Sequence, residues 1–377
     1  MSKVVTFDGA PPPGTINLGI GQPSPDLLPV HLIGTASELF FAQADPLELN
    51  YGVVRGDRSF LESLAEFLTE GYGAPASADE LCVTGGNSQA MDLVSAVFAQ
   101  PGDTVFVEEP SYFLAFKIFE DHGLNIVGIP IDDDGIRVDA LEAALAQHKP
   151  AFLYTIPSFH NPGGQSTSAA RRQRIVELAI QHDFYILADE VYQLLYYHDV
   201  PPPAFGTMAE SGKVLSLGSF SKILAPAMRL GWIQASDDLL QRVVAHGFVN
   251  SGGCINHISA HIAHQAIDNG SLAAHIEVLR DTFRARVDVM HEALLEHFAD
   301  IATWSKPTGG YFFWLKLNEP VDTASLRKPA FAAQAGFQTG GVFSTQGSLS
   351  DHFRLSFAHY TEDEIREGVA RLRPVFD

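Results

Sequence analysis

Residues 214–235 read Val214-Leu215-Ser216-Leu217-Gly218-Ser219-Phe220-Ser221-Lys222-Ile223-Leu224-Ala225-Pro226-Ala227-Met228-Arg229-Leu230-Gly231-Trp232-Ile233-Gln234-Ala235. Two short apolar runs, Val214–Leu217 and Gly231–Ala235, flank a turn that carries hydroxyls, an amine and a guanidinium. Aliphatic runs of this length that end on polar turns read as strands of an α/β sheet. The same pattern recurs upstream at Leu81–Thr84, Thr104–Glu108, Asn125–Ile129, Ala151–Ile156 and Phe184–Ala188. Interleaved with these runs and following them, Ser88–Gln100, Ala169–His182, Asp237–Val249 and Ala274–Phe298 place apolar residues three and four apart, the period of a helix with one buried face. The alternation predicts an α/β fold: a mostly parallel seven-stranded sheet with helices on both faces.

Beyond about residue 300 the pattern changes to a Gly-rich strand at Gly309–Leu317, a strand at Phe353–Phe357 and a helix at Thr361–Leu372, which predicts a smaller α+β domain. The chain is expected to divide into residues 1–40 (an N-terminal segment and part of the small domain), 41–274 (the large domain) and 275–377 (the C-terminal small domain). At 377 residues and 46% hydrophobic content it is long enough to bury cores of both sizes.

Charge and cysteine content narrow the function classes. With 24 Lys and Arg against 45 Asp and Glu, the net charge of -21 repels phosphate backbones and anionic lipid heads, so nucleic-acid and membrane-surface partners are not expected. Any anionic ligand must then be held by a local site. Cys82 and Cys254, the two cysteines present, are too few for a disulfide framework and fit a reducing compartment. Met1–Pro13 shows no signal-peptide pattern and no apolar stretch is long enough to span a bilayer, so the expected location is the cytoplasm.

Ligands of open α/β sheets gather at the carboxyl ends of the strands. Four polar clusters follow strands here: Gly85-Gly86-Asn87-Ser88-Gln89, Asn161-Pro162-Gly163-Gly164, Asp189-Glu190-Val191-Tyr192 and Ser219-Phe220-Ser221-Lys222. They are expected to converge on one edge.

Taken with Lys222–Gly231 and Phe353-Arg354-Leu355-Ser356-Phe357, these motifs in this order resemble the class I/II aminotransferases of fold type I, over nearly the whole chain. The resemblance implies pyridoxal phosphate held on Lys222 as a Schiff base, and a ping-pong transfer of an amino group from an α-amino acid to a 2-oxo acid. It implies that Lys222, once freed, carries the proton at the substrate α-carbon. Asp189 then faces the pyridine nitrogen, while Tyr192 and Asn161 bond the ring oxygen. Gly86, Asn87, Ser88, Ser219, Ser221 and Arg229 hold the phosphate, with a helix N-terminus assisting, and Tyr112 stacks on the ring. Arg354 grips the substrate carboxylate, Asn161 also faces the substrate, and Gly21 lies in a loop that closes over it. Tyr51 reaches the phosphate of a neighbouring subunit, which makes the expected active unit a homodimer.

Other motifs are set aside. Gly19-Ile20-Gly21 lacks the helix and third glycine of a dinucleotide fingerprint. Asp132-Asp133-Asp134-Gly135 lacks EF-hand spacing and reads as a turn from a strand toward a helix. His257, His261 and His264 fall on one helical face, but no carboxylate stands in metalloprotease spacing and no metal is expected. Two departures from the family pattern touch loop conformation: Ala227 where glycine is common, and Gly163 where threonine is common. The Gly252–His257 loop is a candidate wall from a partner subunit. A carbon–sulfur β-lyase on the same scaffold, and a non-enzymatic effector-binding module, stay open as alternatives. The abundant phenylalanine and the resemblance favour a substrate of the aromatic and aminoadipate group.

Overall fold

The computed structural model describes residues 12–377; the Met1–Pro13 reading and the start of the 1–40 segment thus fall largely outside the described residues. The large sheet runs in the order Leu81–Thr84, Gly231–Ala235, Val214–Ser219, Tyr185–Asp189, Pro150–Thr155, Thr104–Glu109, Asn125–Asp132, Gly135–Ile136. Its seven longer strands are those read from the sequence. The eighth, Gly135–Ile136, is the return arm of a hairpin made by Asp132-Asp133-Asp134, in which Asp132 Oδ1 accepts from Asp134 N (2.9 Å) and pairs with Arg171. That stretch turns a strand into a strand before the helix Val138–Leu145 begins.

Among the longer strands, Gly231–Ala235 alone is reversed, pairing antiparallel with both Val214–Ser219 and Leu81–Thr84. The reason lies in length: a parallel return needs a crossover of about a dozen residues or more, and the short Phe220–Leu230 turn is occupied by the polar cluster. Side-chain alternation divides the core in two. Val105, Val107, Phe152, Tyr154 and Leu187 face one helical layer. Phe106, Leu153 and Ile186 face the other, against Ile175, Leu178 and Ala179 of helix Ala169–His182. Both faces being covered, the parallel strands read as continuous apolar runs.

The helix expected at Asp237–Val249 is broken. Asp237–Val244 ends, His246 is extended (φ -63°, ψ 132°), and Gly247–Gly252 forms a separate turn. His246-Gly247 at the break carry little helix-forming drive, glycine least of all. The second sheet is antiparallel, in the order Ala302–Thr303, Phe312–Leu317, His352–Ser356, Gln338–Thr339, and Ile16–Asn17 pairs in parallel with Ala335–Gly336. Helices Ser271–His297 and Glu362–Leu372 pack on one another beside it. Phe353 and Leu355 enter that core, which leaves Arg354 on the opposite face, toward the large sheet.

Candidate active site

Strand Tyr185–Asp189 delivers Asp189, 5% exposed, to the carboxyl edge of the large sheet. Its Oδ1 accepts from Asn87 Nδ2 (2.5 Å) and its Oδ2 from the Tyr154 hydroxyl (2.9 Å). Burial pushes the Asp189 carboxyl up from its ordinary range, and these bonds pull it partly back. A buried carboxylate of this kind calls for a cationic partner in front of it.

Lys222 comes from the turn after Val214–Ser219. Its Nζ donates to Gly21 O (3.0 Å) and lies 5.2 Å from the centre of the Tyr311 ring. Burial, and secondarily the Arg354 charge, lower its amine to about 8, with Asp189 opposing. A fraction of the amine is therefore unprotonated and nucleophilic near neutrality.

An anion cradle lies alongside. Gly86 (φ 87°) caps the helix Asn87–Phe98, and a Cβ there would stand 3.1 Å from Arg229 Nη2. Arg229, itself left-handed at φ 46°, donates from Nη2 to Gly85 O (3.0 Å) and from Nη1 to Pro226 O (3.1 Å), which fixes its guanidinium over the helix N-terminus. Ser219 and Ser221 share a hydroxyl bond of 2.9 Å beside it. A helix N-terminus, its favourable dipole and a fixed cation suit this cradle to a phosphate.

The second sheet closes the far wall. Arg354, 5% exposed, donates from Nη1 to Asn161 Oδ1 (2.7 Å) and from Nη2 to Gly19 O (2.9 Å), and lies 4.0 Å over the Phe312 ring. Its Nε is buried with no partner among the described residues. Burial lowers this guanidinium to about 10, so it stays charged at neutral pH. Gly21 is required here: a Cβ would sit 3.1 Å from Phe312 Cζ and 3.6 Å from Arg354 Nη2.

These groups surround one cavity of ≈ 1340 Å³, larger than the roughly 300–1,000 Å³ typical of a single small ligand. A family model described as aminotransferase class I and II matches residues 13–372. The chain belongs to this family. It is 36% identical over 363 residues to aromatic-amino-acid aminotransferase 1 of Thermococcus litoralis, covering 95% of this chain and 87% of that protein. The multiple substrate aminotransferase of Thermococcus profundus superposes with a TM-score of 0.90 at 33% identity, over 96% of this chain and 91% of that one. LysN, the α-aminoadipate aminotransferase of Thermus thermophilus, solved with N-(5'-phosphopyridoxyl)-L-leucine, superposes at 0.87 with 28% identity, over 96% and 92%.

The cofactor of this aminotransferase is pyridoxal phosphate, and the residues present fit it. Asp189 is a buried carboxylate facing the cavity, Asn87 Oδ1 is buried with no partner among the described residues, and the Gly86–Arg229 cradle offers a cation beside a helix N-terminus, as a phosphate needs.

Of the residues singled out in the sequence, Gly21, Asn87, Ser88, Tyr112, Asn161, Asp189, Tyr192, Ser219, Ser221, Lys222, Arg229 and Arg354 line the cavity. Gly86 stands at its edge through its backbone. Tyr51 does not reach it, being 84% exposed on the surface. Burial raises the Tyr112 hydroxyl to about 12, and places that of Tyr192 well above its usual range. The sequence reading missed Tyr154, whose hydroxyl supports Asp189. It also missed the walls Phe113, Phe116, Phe312, Gln338, Val342 and Thr345. Tyr154 had a readable signal, as a hydroxyl one residue from the end of a central strand.

The histidine helix does meet a carboxylate. Ligand atoms of Asp57, His261 and His264 lie within 4.8 Å of one another. Each has other work: Asp57 caps the helix Arg58–Tyr72 through Phe60 N (3.0 Å), His264 pairs with Asp268 (3.0 Å), and His261 stacks on Phe40. The Gly252–His257 loop packs beneath the Tyr51 turn, since a Cβ on Gly52 would fall 2.8 Å from both Cys254 and His257.

Proposed function

We propose that this aminotransferase takes the amino group of an aromatic or long apolar α-amino acid and passes it to a 2-oxo acid in a ping-pong cycle, with the cofactor held on Lys222 as a Schiff base. The observation that carries the reading is the meeting, in one cavity, of an amine lowered to about 8, a buried carboxylate and a buried guanidinium with an unpartnered Nε. When bound, pyridoxal phosphate supplies an electron-withdrawing ring next to the bond that breaks at the substrate α-carbon. Asp189 would keep the ring nitrogen protonated, and Tyr192 and Asn161 would bond the ring oxygen. Tyr112 would cover the ring face. Gly86, Asn87, Ser88, Ser219, Ser221 and Arg229 would hold the phosphate. Arg354 binds the substrate carboxylate through its fork, and the loop at Gly21 excludes water. Lys222 Nζ would take the substrate α-proton and hold it for redelivery from the same face.

The substrate class follows from Ile20, Phe113, Phe116, Phe312 and Val342 on the cavity wall. On the same reading, residues 41–274 hold the cofactor, while 275–377 with part of 1–40 carry the clamp. The exposed Leu47 (75%), Leu49 (62%), Tyr51 (84%) and Val53 (66%) form the surface that a second copy covers in a cytoplasmic homodimer, bringing Tyr51 to the partner's phosphate.

The test is the visible spectrum of the cofactor-loaded protein during addition of a panel of amino acids and then of 2-oxo acids, with Lys222→Ala alongside. Loss of the cofactor's visible band with phenylalanine or tyrosine, restored by a 2-oxo acid, is expected. Release of pyruvate and ammonia from a β-substituted amino acid without that exchange would favour the lyase. Absence of any Lys222-dependent band in the wild type refutes the reading.

A further inference from the structure

We infer that the buried pair Glu108–His160, neither of which lines the cavity, is the positioning element of the carboxylate clamp. The inference rests on the proposed function and names residues outside it. Glu108, 1% exposed at the carboxyl end of Thr104–Glu109, accepts at Oε1 from Thr155 Oγ1 (2.7 Å) and at Oε2 from Ile156 N (2.7 Å). His160 Nε2 stands 3.1 Å from the same Oε2, and His160 is also 1% exposed.

The other face of the imidazole fixes its tautomer. His160 Nδ1 accepts from Gly163 N–H (3.1 Å), so the ring proton lies on Nε2, which is in close polar contact with the Glu108 carboxylate but off the line of a hydrogen bond to it. The His160 main chain closes the same turn, donating to Gln165 O (2.8 Å) and accepting from Gly164 N (2.7 Å). The turn thus held presents Asn161, whose Oδ1 takes the Arg354 Nη1 proton at 2.7 Å. Hydrogen bonds on either side of the 3.1 Å Glu108–His160 contact therefore link two strands of the large sheet to a guanidinium on the other sheet. Such a link sets the direction of the Arg354 fork, and a bidentate carboxylate grip is sensitive to that direction.

Three substitutions separate positioning from bulk stability. In His160→Gln, the amide oxygen can accept from Gly163 N–H while the amide nitrogen donates to Glu108. His160→Asn keeps an acceptor near Gly163 but is too short to reach Glu108. His160→Leu fills the space with neither. The readouts, on cofactor-loaded protein, are KM and kcat for an amino acid and a 2-oxo acid, and Ki for 3-phenylpropionate, an unreactive carboxylate. We expect KM and Ki within about twofold of wild type for Gln, raised about threefold to tenfold for Asn and more than about tenfold for Leu. kcat should stay within about threefold, and the visible band unchanged. Should Leu not fold, the Gln and Asn pair still decides. Equal KM and Ki in Asn and wild type, or losses confined to kcat, would overturn the positioning role. A wild type that exchanges no amino group would remove the proposed function and this inference together, whereas an active wild type matched by its variants removes the inference alone.

Discussion

Replacing Lys222 by methionine in the cofactor-free protein should stabilise it at neutral pH, with a gain that disappears in alkali. The amine titrates at about 8 in the folded chain against an ordinary 10.5. At about 1.4 kcal/mol per pH unit, this difference corresponds to about 3 kcal/mol. The cavity leaves Lys222 partly accessible, so solvent trims the effect to about 2 kcal/mol. The sign follows from proton counting. Below about pH 8 the folded chain must hold a buried ammonium and carries the whole penalty. Between about 8 and 10.5 the unfolded chain keeps a proton that the folded chain has released, so wild-type stability gains on that of the variant as pH rises. The variant also loses the Nζ bond to Gly21 O and the contact with Tyr311, a largely pH-independent cost of about 1 kcal/mol. Urea unfolding of both proteins at pH 6.5, 8.5 and 10 reads the difference, in which the titrating tyrosines cancel. An advantage of Lys222→Met that shrinks across this range is expected; a difference that is constant, or grows with pH, refutes the assignment of Lys222 as a buried, destabilised amine.

Three more outcomes follow from the geometry. Arg354→Lys keeps a charge but loses the fork, and kcat/KM should fall about 10- to 100-fold, with Arg354→Leu at about 10²- to 10⁴-fold in the same steady-state assay. Thr345→Val removes the hydroxyl that donates to Glu109 Oε2 (2.6 Å) while keeping shape, so urea unfolding should show about 1 kcal/mol of destabilisation and KM for bulky amino acids should rise. Introducing Leu49→Asp and Val53→Asp together into the exposed apolar patch should shift sedimentation velocity from dimer to monomer and weaken cofactor retention on dilution.

What was legible in the sequence was local. Each long strand carried its own apolar run and each chemistry-bearing turn its own motif, so the sheet and the reactive side chains of the cavity could be placed from patterns of four to ten residues, while most of the remaining wall could not. The hairpin at Gly135–Ile136 escaped because a two-residue strand has no period to read. The split after Val244 escaped because the apolar spacing continues through His246 although the backbone does not. Contacts between distant segments left no local trace. Asn87 stands at a helix start, where the sequence placed it among phosphate ligands, and its side-chain amide also reaches Asp189 across 102 residues of sequence, which no local pattern shows. Asp57 caps a helix and only in three dimensions comes beside His261 and His264. The cavity walls Phe113, Phe116 and Val342 resemble core residues in sequence, because apolar side chains on a helix or loop look alike whether they face protein or ligand.

The charge arrangement explains how a chain of net charge -21 presents an anion site. Many of its other cations pair with carboxylates, among them Arg171 with Asp132, Lys213 with Asp183 and Arg284 with Asp281, although Arg242 and Arg286 bond neutral oxygens instead. Lys222, Arg229 and Arg354 form no ion pair with a described carboxylate. They are oriented by neutral acceptors, Gly21 O for the first, Gly85 O and Pro226 O for the second, Gly19 O and Asn161 Oδ1 for the third. A carbonyl fixes the direction of a cation without cancelling its charge, whereas a carboxylate would do both and compete with the ligand. On the proposed function, the fold thus keeps three directed nitrogen groups available at the seam between its two sheets: an amine whose unprotonated fraction can attack a carbonyl carbon, and two guanidinium cations, one for a phosphate and one for a carboxylate. Two of these orienting carbonyls belong to the Gly19–Gly21 segment, so the loop proposed to cover the substrate is also the loop that aims the amine and the clamp. Movement of that loop would disturb binding and chemistry together, which is why it must be short, glycine-containing and packed against Phe312.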